Sequence, residues 1–195
     1  MVFTALLDTC VLVPSLQRDV LLECAAGGVY RPVWSAAILD ELSYTLTRLL
    51  TDRGRSADEV SAYVTRLCRQ MDQAFPDATI TGWEHLLPTI VVPDPDDTHV
   101  VAAAVVAGAQ LIVTSDQRGF TEGLPPGLCT QTPDEFLLDA LDLTPPLVLG
   151  AVDAVAARTG RHGPARTTRE ILERLRAAST PAFAAAALDR LDEAL

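Results

Sequence analysis

"PDPDDTHVVAAAVVAGAQLIVTSDQRGF" (residues 93–120) is the stretch whose reading decides the fold. Three aspartates, Asp94, Asp96 and Asp97, crowd the start of an apolar, alanine-rich run that stops at Gly108. Asp94 followed by Pro95 is a good helix N-cap with proline at the first helical position, and glycine is a common stop. The next apolar run, "LIVTSD" (111–116), reads as a buried strand that ends in a fourth aspartate, Asp116.

The same alternation continues outward in both directions. "VFTALLD" (2–8) is a short apolar strand closed by Asp8. "SLQRDVLLECAAGG" (15–28) has helical spacing and a Gly-Gly stop, and "VYRPVW" (29–34) is a second strand. Ser35 is placed to cap a helix over 36–50, in which Ile38, Leu42, Leu46 and Leu49 form the apolar stripe. "SADE" (56–59) is a capping box opening a helix to about Gln73, and "ITGWEHLLPTIVVPD" (80–94) reads as a short helix followed by an extended segment. "GLCTQ" (127–131) is a weak last strand. "TPDEFLLDAL" (132–141) opens with Thr132 as cap, Pro133 at the first position and Glu135 completing the box. Strands alternating with helices predict an α/β fold with a central parallel sheet covered by helices.

Beyond "LTPP" (143–146) only helical patterns remain, and the charge changes. Residues 1–150 hold 8 Arg against 20 acidic residues, whereas residues 151–195 hold 7 against 6. This predicts an α/β domain over 1–142 and a helical extension over 143–195. With 195 residues, 49% of them apolar, the chain can bury a core without covalent staples. No apolar run is long enough for a membrane span, and "MVFTALLD" turns acidic too soon for a signal peptide, so a cytoplasmic protein is expected.

Composition also excludes chemistry. The four cysteines, Cys10, Cys24, Cys68 and Cys129, form no C-x-x-C pair and read as reduced thiols. Their spacing to His85, His99 and His162 does not suit zinc. Lysine and asparagine are absent, which points to a GC-rich bacterial genome and rules out a P-loop lysine or a Schiff base. A net charge of −11 argues against non-specific coating of nucleic acid, though not against an enzyme that cuts it.

In open parallel sheets ligands bind beyond the carboxyl ends of the strands. Asp8 and Asp116 close two strands, Asp97 begins the helix that leads into the second of them, and Glu41 lies two turns into the helix after strand two. With the first strand central, all four can face one crevice. Carboxylates crowded together must either take up a proton or share a cation, and oxygen-only donors favour Mg²⁺ or Mn²⁺. Such a site suits phosphodiester hydrolysis. Singly, each acid has an ordinary explanation. Asp94 is better read as a cap and Asp96 as a first-turn acid answering the helix dipole, and Asp40 competes with Glu41 for the inward position.

The segments "LLDTCVLVP" (6–14), "ILDEL" (38–42), residues 93–120 and "TPDEFLLDAL" together resemble PIN-domain ribonucleases, and most of all the VapC-type toxins of bacterial toxin–antitoxin pairs. The resemblance covers nearly all of residues 1–142. It implies a PIN-like three-layer fold, with Asp8, Glu41, Asp97 and Asp116 as catalytic and metal-holding acids around one or two Mg²⁺ or Mn²⁺ ions. It implies RNA cleavage by an in-line water that leaves 5′-phosphate and 3′-hydroxyl ends, a cognate antitoxin as partner, and a homodimer. Thr9 and Thr114 carry hydroxyls that could tether the carboxylates. Cys10 replaces a residue that is polar in many relatives, so one hydrogen bond to the site is expected to be missing.

The most basic run, residues 158–176, offers Arg158, Arg161, Arg166 and Arg169 as phosphate contacts, and "RLLTDRGR" (48–55) is a second basic window. A salt-bridged, solvated helix face explains either equally simply. His99, two residues past Asp97, invites a catalytic role but reads more simply as a surface histidine in the first helical turn, and Trp34, Trp83 and Phe120 read as packing residues. Two rival functions stand beside the nuclease: a PIN-like module that docks RNA or protein without catalysis, and a haloacid-dehalogenase-type phosphatase. The phosphatase would want an Asp at position 10 and a lysine, and has neither.

Overall fold

The computed structural model describes residues 3–160 and 163–193. The chain runs β1 (Thr4–Leu7), α1 (Thr9–Leu12), α2 (Ser15–Ala26), β2 (Arg31–Ser35), α3 (Ala36–Asp52), α4 (Ala57–Ala74) and β3 (Thr79–Ile80). It continues through α5 (Thr98–Ala107), β4 (Leu111–Val113), β5 (Cys129–Gln131), α6 (Pro133–Leu143), α7 (Pro145–Arg158), α8 (Thr168–Ala178) and α9 (Pro181–Glu193). This is the expected α/β fold: a five-stranded parallel sheet flanked by helices, with further helices towards the C-terminus. Strand order is β3-β2-β1-β4-β5, so β1 is central.

Two compact units are present, and they are not contiguous in sequence. One comprises Phe3–Val13 with Pro32–Thr130. It holds the sheet, whose parallel pairing places Ala5 beside Leu111, Leu6 beside Ile112 and Leu7 beside Val113. All of Thr4–Leu7 and Leu111–Val113 is buried, which explains why these strands read as unbroken apolar runs without alternation. Helix α5 packs against β1, β3 and β4, and Val100–Ala104 is wholly buried. Alanines on such a helix allow close approach to the sheet. Gly108 ends it in the left-handed conformation (φ 62°), which a side chain would strain.

The other unit joins Pro14–Arg31 to the segment from Gln131 onward. Here α2 packs on α7, and α6 on both α7 and α9. Tyr30 and Phe136 meet edge to face at 4.9 Å. Asp134, in the first turn of α6, accepts hydrogen bonds from Ala182 N (3.0 Å) and Phe183 N (2.8 Å), satisfying amides that the start of α9 would otherwise leave bare.

Three local departures from the sequence reading have simple causes. β3 is only two residues long, too short to carry a periodic signal. The expected helix after it is a 3₁₀ helix, Glu84–Thr89, with Pro88 inside removing an amide donor. The helix expected from Asp94 onward instead begins as a 3₁₀ turn, Pro95–Asp97, with the Asp94 side chain accepting from Asp96 N at 3.0 Å; α5 starts only at Thr98. No helix among the described residues is long and apolar enough to cross a membrane.

Leu6 is fully buried at the centre of the sheet. Leu6→Ala is expected to lower unfolding free energy by about 2–5 kcal/mol in urea titrations. A loss under about 1 kcal/mol would mean that the sheet relaxes around the gap.

Candidate active site

The backbone that leaves β1 carries the first functional group. Asp8 N donates to Val113 O (3.1 Å), extending the β1–β4 pairing by one residue, and Asp8 as a whole residue is 8% exposed. A buried carboxylate needs donors. Asp8 Oδ2 accepts from Thr114 Oγ1 at 2.8 Å and from Cys10 Sγ at 2.9 Å. Thr114 Oγ1 in turn accepts from Asp116 N at 3.1 Å, and Cys10 Sγ from Ser115 N at 3.1 Å. The loop after β4 is thereby tied to the loop after β1. Cys10 was expected to cost the site a hydrogen bond; the thiol supplies one. Burial, and then the adjacent Asp8 charge, push its pKa up to about 11, so it remains a protonated donor.

Glu41 comes from α3, whose start is fixed by Ser35 Oγ accepting from Ile38 N (3.2 Å). Both Glu41 oxygens are engaged. Oε2 accepts from Thr9 Oγ1 at 2.7 Å, and Oε1 lies 2.9 Å from His99 Nε2. The hydrogen bond from His99, partly opposed by burial and aided by Thr9, holds the Glu41 pKa below its ordinary value. Burial alone would lower the imidazole pKa. The Glu41 hydrogen bond and charge outweigh it, with help from Asp8 and Asp97, and the net shift is upward.

Asp97 sits at the N-terminus of α5, and its side chain makes no cap hydrogen bond there. Its pKa is raised to about 6, first by burial and then by the charges of Asp8, Asp94 and Asp116, with His99 opposing. Asp116 follows β4, and its Oδ1 accepts from Arg118 N (3.2 Å) at the head of the 3₁₀ turn Gln117–Phe120. Asp8, Asp97 and Asp116 therefore share one electrostatic neighbourhood, and Glu41 is linked to it through Thr9 and His99. Asp94 is committed to its turn, and Asp40 and Asp96 are exposed.

The donor chemistry fits a hard divalent cation. The three aspartates offer only oxygen, and at Asp97 the charges of Asp8, Asp94 and Asp116 add to the burial that raises its pKa. The side chains as they stand are not closed around a common centre, for no group of three His, Cys, Asp or Glu among the described residues is placed to hold a metal ion.

The arginines proposed for phosphate contact belong to the other unit. Arg158 is ion-paired with Glu23 (2.5 Å) and Arg169 with Asp192, while Arg166 N donates to Thr159 Oγ1 (2.7 Å). Arg161 lies outside the described residues. Trp34 and Phe120 are buried.

The sequence left two residues outside the site that the structure brings to it. His99, expected on the surface, is 15% exposed in its side chain and bound to Glu41. Its place two residues after Asp97 was visible, but the approach of α3 was not. Gly119 is the other. A Cβ there would fall well inside contact distance of Asp97 Oδ2, so glycine leaves the room in which that carboxylate stands.

Comparison with known proteins identifies the family. Residues 4–118 match the model of a family described as PIN domain, and residues 133–189 match one described as VapC50 C-terminal domain. A curated protein of Mycobacterium tuberculosis (strain ATCC 25618 / H37Rv), named "Putative ribonuclease VapC50", is 44% identical over 64 residues. That match takes in 30% of this chain and 38% of the other protein's length. No solved structure matches the chain significantly.

Gly119→Ala should displace the Asp97 carboxylate while leaving the fold intact. The expected result is unchanged circular dichroism with Mn²⁺ affinity reduced about 10-fold, as for loss of a supporting contact. Wild-type affinity would show that Asp97 does not need the space.

Proposed function

The chain belongs to the PIN-domain family, and on that premise we propose that it is a Mg²⁺- or Mn²⁺-dependent ribonuclease, the toxin of a bacterial toxin–antitoxin pair. The observation that carries the reading is the convergence of strand-end acids: Thr114 Oγ1 donates to Asp8 Oδ2 and accepts from the Asp116 amide, and Asp97, its pKa raised to about 6 first by burial, also feels the charges of Asp8 and Asp116. A fold has little reason to gather such charge at the carboxyl edge of its sheet without a cation to answer it.

Asp8, Asp97 and Asp116 would hold the ion. When bound, such an ion supplies Lewis acidity, lowering the pKa of a water and offsetting charge that grows on the phosphodiester. The chain's own groups supply order. Thr114 and Cys10 fix the Asp8 carboxylate by donating to the same oxygen, so that carboxylate does not have to reorganise during reaction. Thr114 also holds the Asp116 amide, which sets the start of the loop bearing the third aspartate. Glu41 stands at the rim with both oxygens hydrogen-bonded, an ionised acceptor towards an attacking water. Hydrolysis would place the water's oxygen on phosphorus and release the 3′-oxygen as a hydroxyl.

RNA is the substrate class proposed, since the Mycobacterium tuberculosis relative is named "Putative ribonuclease VapC50". The proposed antitoxin would restrain the enzyme most simply by inserting an arginine among the carboxylates, replacing the cation's charge. Residues 1–142 are proposed as the nuclease domain and 143–195 as a helical extension, in a protein acting as a homodimer in the cytoplasm.

Purified protein with Mn²⁺ should cleave RNA, and Asp97→Asn or Asp8→Asn should reduce the rate at least about 100-fold. Retained cleavage in both variants would end the assignment. In EDTA the same Asp97→Asn change removes a repelled charge. A carboxyl whose folded pKa is raised destabilises the fold where it is ionised, above about pH 6, and not where both folded and unfolded forms are protonated. At pH 7.5 the variant should melt about 2–4 °C above wild type, the shift given by a solvent-screened gain of about 1 kcal/mol, and the difference should vanish below about pH 4. A variant that melts lower at pH 7.5 would show that Asp97 is not under repulsion.

A further inference from the structure

Glu41 and the three aspartates are held in different ways, and the difference assigns a role to a residue outside the four acids. Asp97 makes no cap hydrogen bond with its side chain, and Asp116 accepts at Oδ1 from a backbone amide. Glu41 has both oxygens taken by side chains from two other segments: Thr9 Oγ1 at 2.7 Å on Oε2 and His99 Nε2 at 2.9 Å on Oε1. These two donors are not placed at random. Thr9 directly follows Asp8, and His99 follows Asp97 by two residues. The segments that present two of the aspartates therefore also clamp Glu41.

The His99 ring is itself constrained. Trp83, 9% exposed, packs on it with ring centroids 6.0 Å apart at 51°. Its Nδ1 is buried and has no hydrogen-bond partner. The ring's orientation therefore rests on Trp83 and on the single bond from Nε2 to Glu41. With Nδ1 unpartnered, the bond to Glu41 is the hydrogen bond that the buried imidazole makes, so ring and carboxylate are oriented together.

We propose that His99 is a positioning residue of the hydrolytic centre: with Thr9 it fixes the Glu41 carboxylate as an oriented acceptor at the rim, so that Glu41 acts on the attacking water and does not bind the cation directly. The inference rests on the ribonuclease reading above and deepens it. It divides the four acids by task, three aspartates for the ion and one glutamate, held by its neighbours, for the nucleophile.

The test separates rate from ion binding. Mn²⁺ affinity is read from the electron paramagnetic resonance signal of the free ion, and kcat from cleavage of a labelled RNA pool at saturating Mn²⁺. His99→Leu should lower kcat about 10- to 100-fold, as loss of a supporting contact does, and Glu41→Gln by about 100-fold or more, as loss of the group acting on the water does, with the Mn²⁺ dissociation constant kept within about two-fold in both. His99→Gln, whose amide nitrogen can replace Nε2–H, should recover most of the lost rate. The double variant His99→Leu/Glu41→Gln should be no slower than the slower single variant, because the two groups act as one unit. Thr9→Val removes the other half of the clamp without disturbing the His99–Trp83 contact and should reproduce the rate loss, which keeps the test decisive if His99→Leu folds poorly.

A Glu41→Gln variant that weakens Mn²⁺ binding more than about five-fold would overturn the proposal by making Glu41 a direct ligand. So would His99→Gln as slow as His99→Leu, or His99→Leu as fast as wild type. If wild-type protein itself fails to cut RNA in Mn²⁺, the ribonuclease reading falls and takes this one with it. If wild type cuts and His99→Leu cuts equally well, only the positioning role is lost.

Discussion

Everything at the candidate site depends on the parallel register of β1 against β4. Leu7 opposite Val113, extended by the 3.1 Å bond from Asp8 N to Val113 O, places Asp8 beside Thr114 and so brings together two loops 106 residues apart in sequence. A slip of one residue would turn Asp8 to the other face of the sheet, since strand side chains alternate. The apolar burial of Thr4–Leu7 and Leu111–Val113 enforces that register, because any other pairing would put a carboxylate into the core.

The same burial makes the carboxylates costly. Asp8 is buried and ionisable, and it is accommodated by two side-chain donors on one oxygen. Asp97 lacks such donors, and its pKa is raised first by burial and then by the neighbouring aspartate charges. Glu41 is answered by His99 and Thr9 and is held in the ionised form. The three acids are held differently: Asp8 by two side-chain donors on one oxygen, Glu41 by a histidine and a threonine, and Asp97 by no cap hydrogen bond of its own. A site built this way is open to a cation, and also to any partner that can bring a guanidinium to the same place.

Much of this was legible in the sequence. The apolar strand before Asp8, the Ser35 cap of α3, the capping boxes at Ser56 and Thr132, and the alternation of strand and helix all follow from local rules of period and capping; the strand expected to run to Asp116 stops at Val113, and Asp116 heads the 3₁₀ turn after it. The hydrogen bonds of Thr9 and Thr114 were foreseeable as possibilities, because both hydroxyls sit beside strand-end acids. The contributions of Cys10, His99 and Gly119 were not. Each depends on a partner supplied by a distant segment: Asp8 and Ser115 for the thiol, Glu41 for the imidazole, Asp97 for the missing Cβ. Local pattern carries no record of which side chain will arrive from across the fold.

The sequence by itself determined which elements form and which acids stand at their ends, because period, caps and burial are properties of a few consecutive residues. Tertiary structure alone decided how those acids are treated. The distance between Glu41 and His99, the shared oxygen of Asp8 and the uncompensated charge at Asp97 exist only once α3, α5, β1 and β4 have packed. Hydrogen bonds and like-charge repulsion act over a few ångströms of space, whatever the separation along the chain.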